Sequence, residues 1–332
     1  MFLIHSYPLA VVFCVVTMLC WGSWANTQKL ASKSWGFPLF YWDYTFGIII
    51  LSLFLGLTMG STGSEGMAFM PSLLNASITA IGLALLGGII FNIANLLLVA
   101  AIDIAGMAIA FPIGIGIALA LGVVVNYAAL PDGNPILLFL GVAFVVIAII
   151  IDALVYKKIT QGAASTKGII LSLAAGVLMG FFYRFVAASM SVDFSVPTPG
   201  LLTPYAAVFI FGIGIFLSNF LFNTFFMYKP LSGSKVTYTD YFKKGDLKLH
   251  LIGILGGSIW ALGFLFNMIA AGKAGFAISY GLGQGATLIA AIWGVFIWKE
   301  FKDAPSGTNK LISFMFLSFI IGLACIILAK IV

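Results

Sequence analysis

Gly87-Gly88 opens a Gly-rich apolar stretch that runs through Asn95 to Ala105-Gly106-Met107-Ala108-Ile109-Ala110-Phe111-Pro112-Ile113-Gly114-Ile115-Gly116. A second copy begins at Gly256-Gly257 and runs through Asn267 to Ala274-Gly275-Phe276-Ala277-Ile278-Ser279-Tyr280-Gly281-Leu282-Gly283-Gln284-Gly285. At one constant offset both keep the Gly-Gly pair, the Ala-Gly-x-Ala-Ile and the Gly-x-Gly. In a membrane chain, hydrophobic segments interrupted by Gly or Pro at matching places in two halves point to a substrate site. The same small residues also let helices pack closely. The pattern predicts helix breaks at Pro112, Gly114 and Gly116, and at Gly281, Gly283 and Gly285.

The rest of the chain agrees with a membrane setting. Apolar residues make up 62% and charged residues 8% of its 332 positions. No soluble fold of this length has interior enough for that much apolar surface. Ten apolar runs are long enough, at roughly 20 residues each, to cross a bilayer. They lie near 8–28, 39–60, 77–101, 105–128, 135–156, 167–189, 202–227, 249–271, 275–297 and 310–331. The fold class expected is an all-α membrane protein, about ten transmembrane helices as two inverted five-helix repeats. Residues 1–160 form the first repeat and 161–332 the second, since an odd number of spans per half inverts the second half.

The net charge of +6 sits in loops. Lys29 and Lys33, Lys157, Lys158 and Lys167, then Lys229, Lys235, Lys243, Lys244 and Lys248, and finally Lys299, Lys302 and Lys310 all fall on one side. The other side carries Glu65, Asp132, Asp193, Lys273 and Lys330. The positive-inside rule then places both termini on the non-cytoplasmic side of a multi-pass protein. The charge reads as topology, so no nucleic-acid partner is expected. The first run lacks a positive segment before it, which suits a retained helix better than a signal peptide. The stretch Lys229–Lys248 reads as a cytoplasmic loop with room for a short surface helix.

Several side chains are candidates for substrate contact. Trp21 and Trp24 share a helical face and offer flat walls for a sugar or a planar ring; membrane-interface belting fits them equally. Asn92 and Asn95, Trp260 and Asn267, and Tyr280 with Gln284 supply neutral donors and acceptors of the kind a small uncharged solute needs. Phe111, before Pro112, and Tyr183, before Arg184, are further substrate-binding candidates. Polar groups of this kind also glue helices together. Asp43 falls within the second run, where an acid is costly and a functional suspect, as a proton-coupling or gating group; dipole stabilisation at the helix start fits it as well. Arg184 lies late in the sixth run and suits gating, pairing or snorkelling.

Cys14, Cys20 and Cys325 lie in apolar runs without a CxxC pair, and His5 and His250 are isolated. No metal site and no cofactor is expected. HExxH, GxSxG, GxxxxGK[ST] and TVGYG are all missing, which leaves protease, hydrolase, ATP-driven and ion-filter readings without support. What remains is a transporter of a small molecule, its partners being the substrate, the lipid bilayer and H⁺.

Trp21-Gly-Ser-Trp24, Asp43-Tyr44, Gly87-Gly88 with Asn95 then Gly106, Asn126-Tyr127, Tyr228-Lys229-Pro230, Gly256-Gly257, and Trp293-Gly294-Val295 followed by Glu300 together resemble the drug/metabolite transporter superfamily. Within it the chain is similar to the ureide permeases and to the bacterial glucose/ribose and rhamnose porters. The resemblance implies ten helices as inverted repeats and proton-coupled import of a ureide, nucleobase-like solute or monosaccharide. Termini outside fit this import branch better than the exporter branch, the alternative on the same fold. Plant ureide permeases carry a long loop after span five, where this chain has only Tyr156 to Lys167. They also carry polar residues where it has Ala110-Phe111-Pro112. The substrate therefore stays open, and the short loop implies a bacterial member in the cell (inner) membrane.

Overall fold

The computed structural model describes residues 1–31, 35–159, 165–231 and 234–332. Lys33, and the expected boundary between the halves at 160, lie outside the described residues. Among the described residues ten helices are long and apolar enough to cross a membrane: span 1 (Tyr7–Ala31), span 2 (Phe37–Leu57), span 3 (Ile78–Ala105), span 4 (Ile109–Ala129), span 5 (Pro135–Lys157), span 6 (Thr166–Ser189), span 7 (Pro204–Tyr228), span 8 (Leu247–Ala274), span 9 (Phe276–Ile297) and span 10 (Thr308–Leu328). Each falls within a few residues of an expected run.

Their starts follow helix-capping chemistry. The Ser6 and Ser77 hydroxyls accept from the N–H of Leu9 and Ala80. The Asn134 side-chain Oδ1 accepts from the N–H groups of Ile136 and Leu137, with Pro135 supplying the first turn. Asp246 accepts from Leu249 N–H. Each cap satisfies donors that the helix itself leaves unpaired, and Pro at the first turn loses no bond.

The spans pack in a repeating scheme. Span 1 packs on spans 8 and 9, and span 6 on spans 3 and 4. Span 2 packs on spans 8 and 7, and span 7 on spans 3 and 2. Span 4 meets span 9, and span 5 meets span 10. Shifting every number by five returns the same set of partners. Glycines make the closest approaches. Gly257 lies against the Tyr44 carbonyl while Gly47 lies against that of Ile254; Gly88 lies against the Phe211 carbonyl while Gly214 lies against that of Leu85. Such contacts let backbones meet where lipid supplies no hydrophobic drive between helices.

The chain breaks at two matched glycines. Gly106 (φ 79°, ψ 157°) ends the helix Ile78–Ala105 and starts Met107–Ala129; Gly275 (φ 83°, ψ 153°) does the same between Leu247–Ala274 and Phe276–Gly283. This backbone region is essentially glycine-only. The first copy does not break at Pro112, Gly114 or Gly116, contrary to the sequence expectation: the helix runs on to Ala129 through all three. Pro112 therefore lies inside the helix, past the turn whose N–H groups are free, and leaves the carbonyl of residue 108 without its intrahelical donor. Gly114 instead meets Leu98 and receives Gly176 against its carbonyl. In the second copy the helix stops at Gly283, turns at Gln284-Gly285 and resumes as Ala286–Ile292. Gly281 packs on Val123 and lies within the continuous part.

A Cβ at Gly106 would meet nothing within 4 Å, whereas one at Gly275 would sit 2.5 Å from Asp132 Oδ2. Both Gly106→Ala and Gly275→Ala should lower stability by about 1–3 kcal/mol from backbone strain. Gly275→Ala should cost more, and thermal unfolding of the detergent-purified variants checks the order.

Candidate functional site

A cavity of about 180 Å³ lies midway along the bundle, toward the lysine-rich end, lined by spans 1, 3, 4, 6, 8 and 9. Of the residues singled out in the sequence it gathers Trp21, Trp24, Asn95, Phe111, Trp260 and Gln284. Span 1 is interrupted between its helices Tyr7–Ser23 and Ala25–Ala31, and Trp24 stands at that interruption. Gln284 stands at the turn of span 9. Both interruptions are local, since Trp24, Gln284 and Gly285 keep right-handed helical angles, and spans 1 and 9 pack side by side with Gly22 against the Ala286 carbonyl.

The walls are aromatic. The Trp21 and Trp260 rings lie near parallel, 14° apart with centroids at 5.8 Å, and Phe91 packs on Trp260 at 4.5 Å. Trp21 Nε1 donates to the Trp260 carbonyl at 3.2 Å, which fixes its ring. Asn95 and Gln284 are 6% and 8% exposed, so any solute polar group that reaches them meets carboxamides largely removed from water. Thr287 Oγ1 donates to the Gln284 carbonyl at 2.9 Å and holds the turn.

Phe91, Phe182, Met179 and Thr287 also line the cavity. Phe182 is one of 31 phenylalanines, and nothing in the sequence marks it. Phe91 did carry a signal, because the repeat offset aligns it with Trp260, as it aligns Ile115 with Gln284.

The remaining candidates lie elsewhere. Tyr183 donates to Asn267 Oδ1 at 2.7 Å, Asn267 Nδ2 to the Ser279 carbonyl at 2.8 Å, and Ser279 Oγ to the Asn267 carbonyl at 2.7 Å. Tyr280 donates to the Ala118 carbonyl at 3.0 Å. These bonds tie spans 4, 6, 8 and 9 together on the side of the cavity away from the lysines. Asn92 Nδ2 joins span 3 to span 7 through the Ile215 carbonyl and Ser218 Oγ. Arg184 falls on the stripe of span 6 that carries the exposed Leu173, Val177 and Phe181.

Asp43 is buried at the lysine-rich end of span 2. Its carboxylate accepts from Tyr241 Oη at 2.5 Å, from Trp35 Nε1 at 3.0 Å and meets His250 Nδ1 at 2.9 Å. Tyr241 belongs to a short helix, Tyr238–Lys244, in the loop between spans 7 and 8. Nearby, span 9 is clasped to span 1: Trp293 donates to Ser23 Oγ at 2.8 Å, Trp298 to Asn26 Oδ1 at 2.7 Å, and Glu300 pairs with Lys29 at 2.7 Å.

With this geometry in place, comparison with known proteins is informative. The family model described as ureide permease matches residues 160–329. The chain belongs to the ureide permease family. "Ureide permease 1" of Arabidopsis thaliana is 22% identical, over 98% of this chain and 97% of its own length. "Probable glucose uptake protein GlcU" of Bacillus cereus is 24% identical, over 82% of this chain and 84% of its own length. A solved crystal structure, 18% identical, superposes with a TM-score of 0.58 and covers 96% of each chain; this likeness concerns the fold alone. The family member described here is a multi-pass membrane transporter of small solutes, not an enzyme.

Proposed function

We propose that this transporter imports a small neutral polar metabolite, a ureide or nucleobase-like solute or a monosaccharide, by proton symport with alternating access. The observation that carries the reading is the cavity itself: aromatic walls and two buried carboxamides at the meeting of two locally interrupted helices. That is the architecture of a midplane site between repeats. The self-consistent packing scheme and the matched breaks at Gly106 and Gly275 support two inverted halves. With the termini outside, the Tyr183–Asn267–Ser279 bonds close the outer side of the cavity. Asp43, 1% exposed, is the proton-coupling candidate.

Uptake of labelled allantoin, uracil, ribose and glucose, with and without a protonophore, tests this. Protonophore-sensitive uptake of one class is expected; uptake that survives collapse of the gradient removes the symport. Gln284→Ala should lower uptake about tenfold, the value of one hydrogen bond to a buried partner left unmade. Wild-type uptake by this variant would remove the site. A C-terminal tag labelled from the cytoplasm would turn the reading to export.

A further inference from the structure

Nine buried side-chain polar atoms have no hydrogen-bond partner within the described residues, and seven of them lie on one seam. They are Tyr41 Oη and Tyr44 Oη on span 2, Asn92 Oδ1 and Asn95 Nδ2 on span 3, and both Asn219 amide atoms with Asn223 Oδ1 on span 7; Tyr41 Oη and Asn95 Nδ2 face one another just outside hydrogen-bond geometry, so five of the seven have no partner at hand. All fall in the half of these spans toward the lysine-rich end. Buried polar groups are normally satisfied, and a cluster of exceptions asks for an explanation.

The seam joins two cavities. Asn95 lines the central one. A second cavity, of about 200 Å³, opens at the lysine-rich end of the same three spans, with Phe37, Pro38, Val99, Asp103 and Phe226 in its wall. One helical turn separates Asn95 from Val99 on span 3, and one turn separates Tyr41 from Phe37 on span 2. Tyr41 faces Asn95, and its ring lies between Phe37 and Tyr44, at 5.1 and 5.3 Å. Asn223 Nδ2 holds the Pro38 carbonyl at 2.8 Å, on the wall of the second cavity. A septum one turn thick therefore parts the two spaces, and its unmatched polar groups are hydroxyl and carboxamide.

We propose that the seam of spans 2, 3 and 7 is the solute's passage between the central cavity and the lysine-rich end, and that the end cavity is a second station for it. Tyr41 and Asn95 form the septum. Asn219, with a donor and an acceptor both unmatched, hands on a solute that itself carries donors and acceptors, such as a cyclic amide or a sugar hydroxyl pair. An aliphatic solute would not suit this lining, because it cannot satisfy the polar atoms, and an anionic one would meet Asp103 in the end cavity. The proposal rests on the transport reading above.

Two variants separate passage from binding. Asn219→Leu keeps the shape and removes two unmatched polar atoms, so its melting temperature should equal or exceed that of the unmodified protein. Tyr41→Phe removes one hydroxyl. Binding is read by quenching of tryptophan fluorescence, since Trp21, Trp24 and Trp260 line the central cavity, with uracil and glucose as probes. Transport is read by uptake into proteoliposomes. Both variants should bind with a midpoint near that of the unmodified protein while uptake falls about tenfold or more. Unchanged uptake in both overturns the passage. Binding lost in parallel with uptake also overturns it, by placing these groups in the central site. If the unmodified protein neither quenches nor transports with either probe, the choice of substrate class fails instead.

Discussion

Gly257→Ile is expected to leave no folded transporter in the membrane. A Cβ at this position would be driven into the Tyr44 carbonyl, and Gly47 answers from span 2 with its own contact to the Ile254 carbonyl. The obstructing atoms are backbone on both sides, so no side chain can swing away. Spans 2 and 8 would have to separate, and span 8 carries Trp260 at the cavity wall. Overpacking a tight core costs about 1–3 kcal/mol where side chains can adjust, and here the cost lies at or beyond that upper end. Gly88→Ile should behave alike, because Gly88 meets the Phe211 carbonyl in the matching place. Gly82→Ala is the control: nothing lies within 4 Å of its added methyl. Relief of glycine's conformational freedom in a helix should then add about 0.5–1 kcal/mol. The recovery of monodisperse protein on size exclusion separates these outcomes, and a normal yield of Gly257→Ile would overturn the packing argument.

The repeated Gly-Gly and Ala-Gly-x-Ala-Ile motifs made the spans and the two matched breaks legible, because each is a local property. Hydropathy over a single run suffices for a span, and a glycine is needed where φ is positive while ψ is extended, as at Gly106 and Gly275. The helix through Pro112 was not legible, since the fate of a proline depends on which carbonyl it would have faced. Site membership was legible in part. Trp21, Trp24, Asn95, Phe111, Trp260 and Gln284 do meet. Asn92, Tyr183, Asn267 and Tyr280 have the same chemistry, yet their bonds run to neighbouring helices. Nothing in a residue's type says whether its partner will be a helix or a solute; that is settled by rotation of whole spans about one another. For the same reason the sequence raised Asp43 but not its partners, Trp35, Tyr241 and His250, which come from three separate stretches.

Asp43→Asn is expected to abolish proton-driven accumulation while sparing exchange of labelled solute across the membrane. The three groups around Asp43 are Trp35 Nε1, Tyr241 Oη and His250 Nδ1. An indole and a phenol donate, and an imidazole donates when its proton is on Nδ1, so the site is built for an acceptor-only carboxylate. The phenol stays a donor at neutral pH: burial, then the bond to Asp43, raises its pKa above the ordinary value. The helix that presents Tyr241 also stays formed. Its capping box joins Thr237 and Asp240, and the Asp240 pKa falls from its usual 3.8 to about 2 through the Lys244 and Thr237 bonds. A carboxylate with a lowered pKa stabilises above its unfolded value and loses that contribution only as pH falls toward 2. Changes in transport between pH 5 and 8 therefore do not come from this cap. Replacing the carboxylate by a carboxamide turns one acceptor atom into a donor facing other donors, and it removes the charge that a coupling proton would neutralise. Tyr241→Phe tests the other half of the argument. It deletes one bond to a carboxylate, worth about 1.5–3 kcal/mol, so the short helix should detach roughly ten- to a hundredfold more often, with exchange and accumulation altered together. In proteoliposomes with an imposed pH gradient, loss of accumulation with exchange intact in Asp43→Asn marks Asp43 as the coupling group. Parallel loss of both in the two variants would make the cluster a latch that merely holds the lysine-rich end closed.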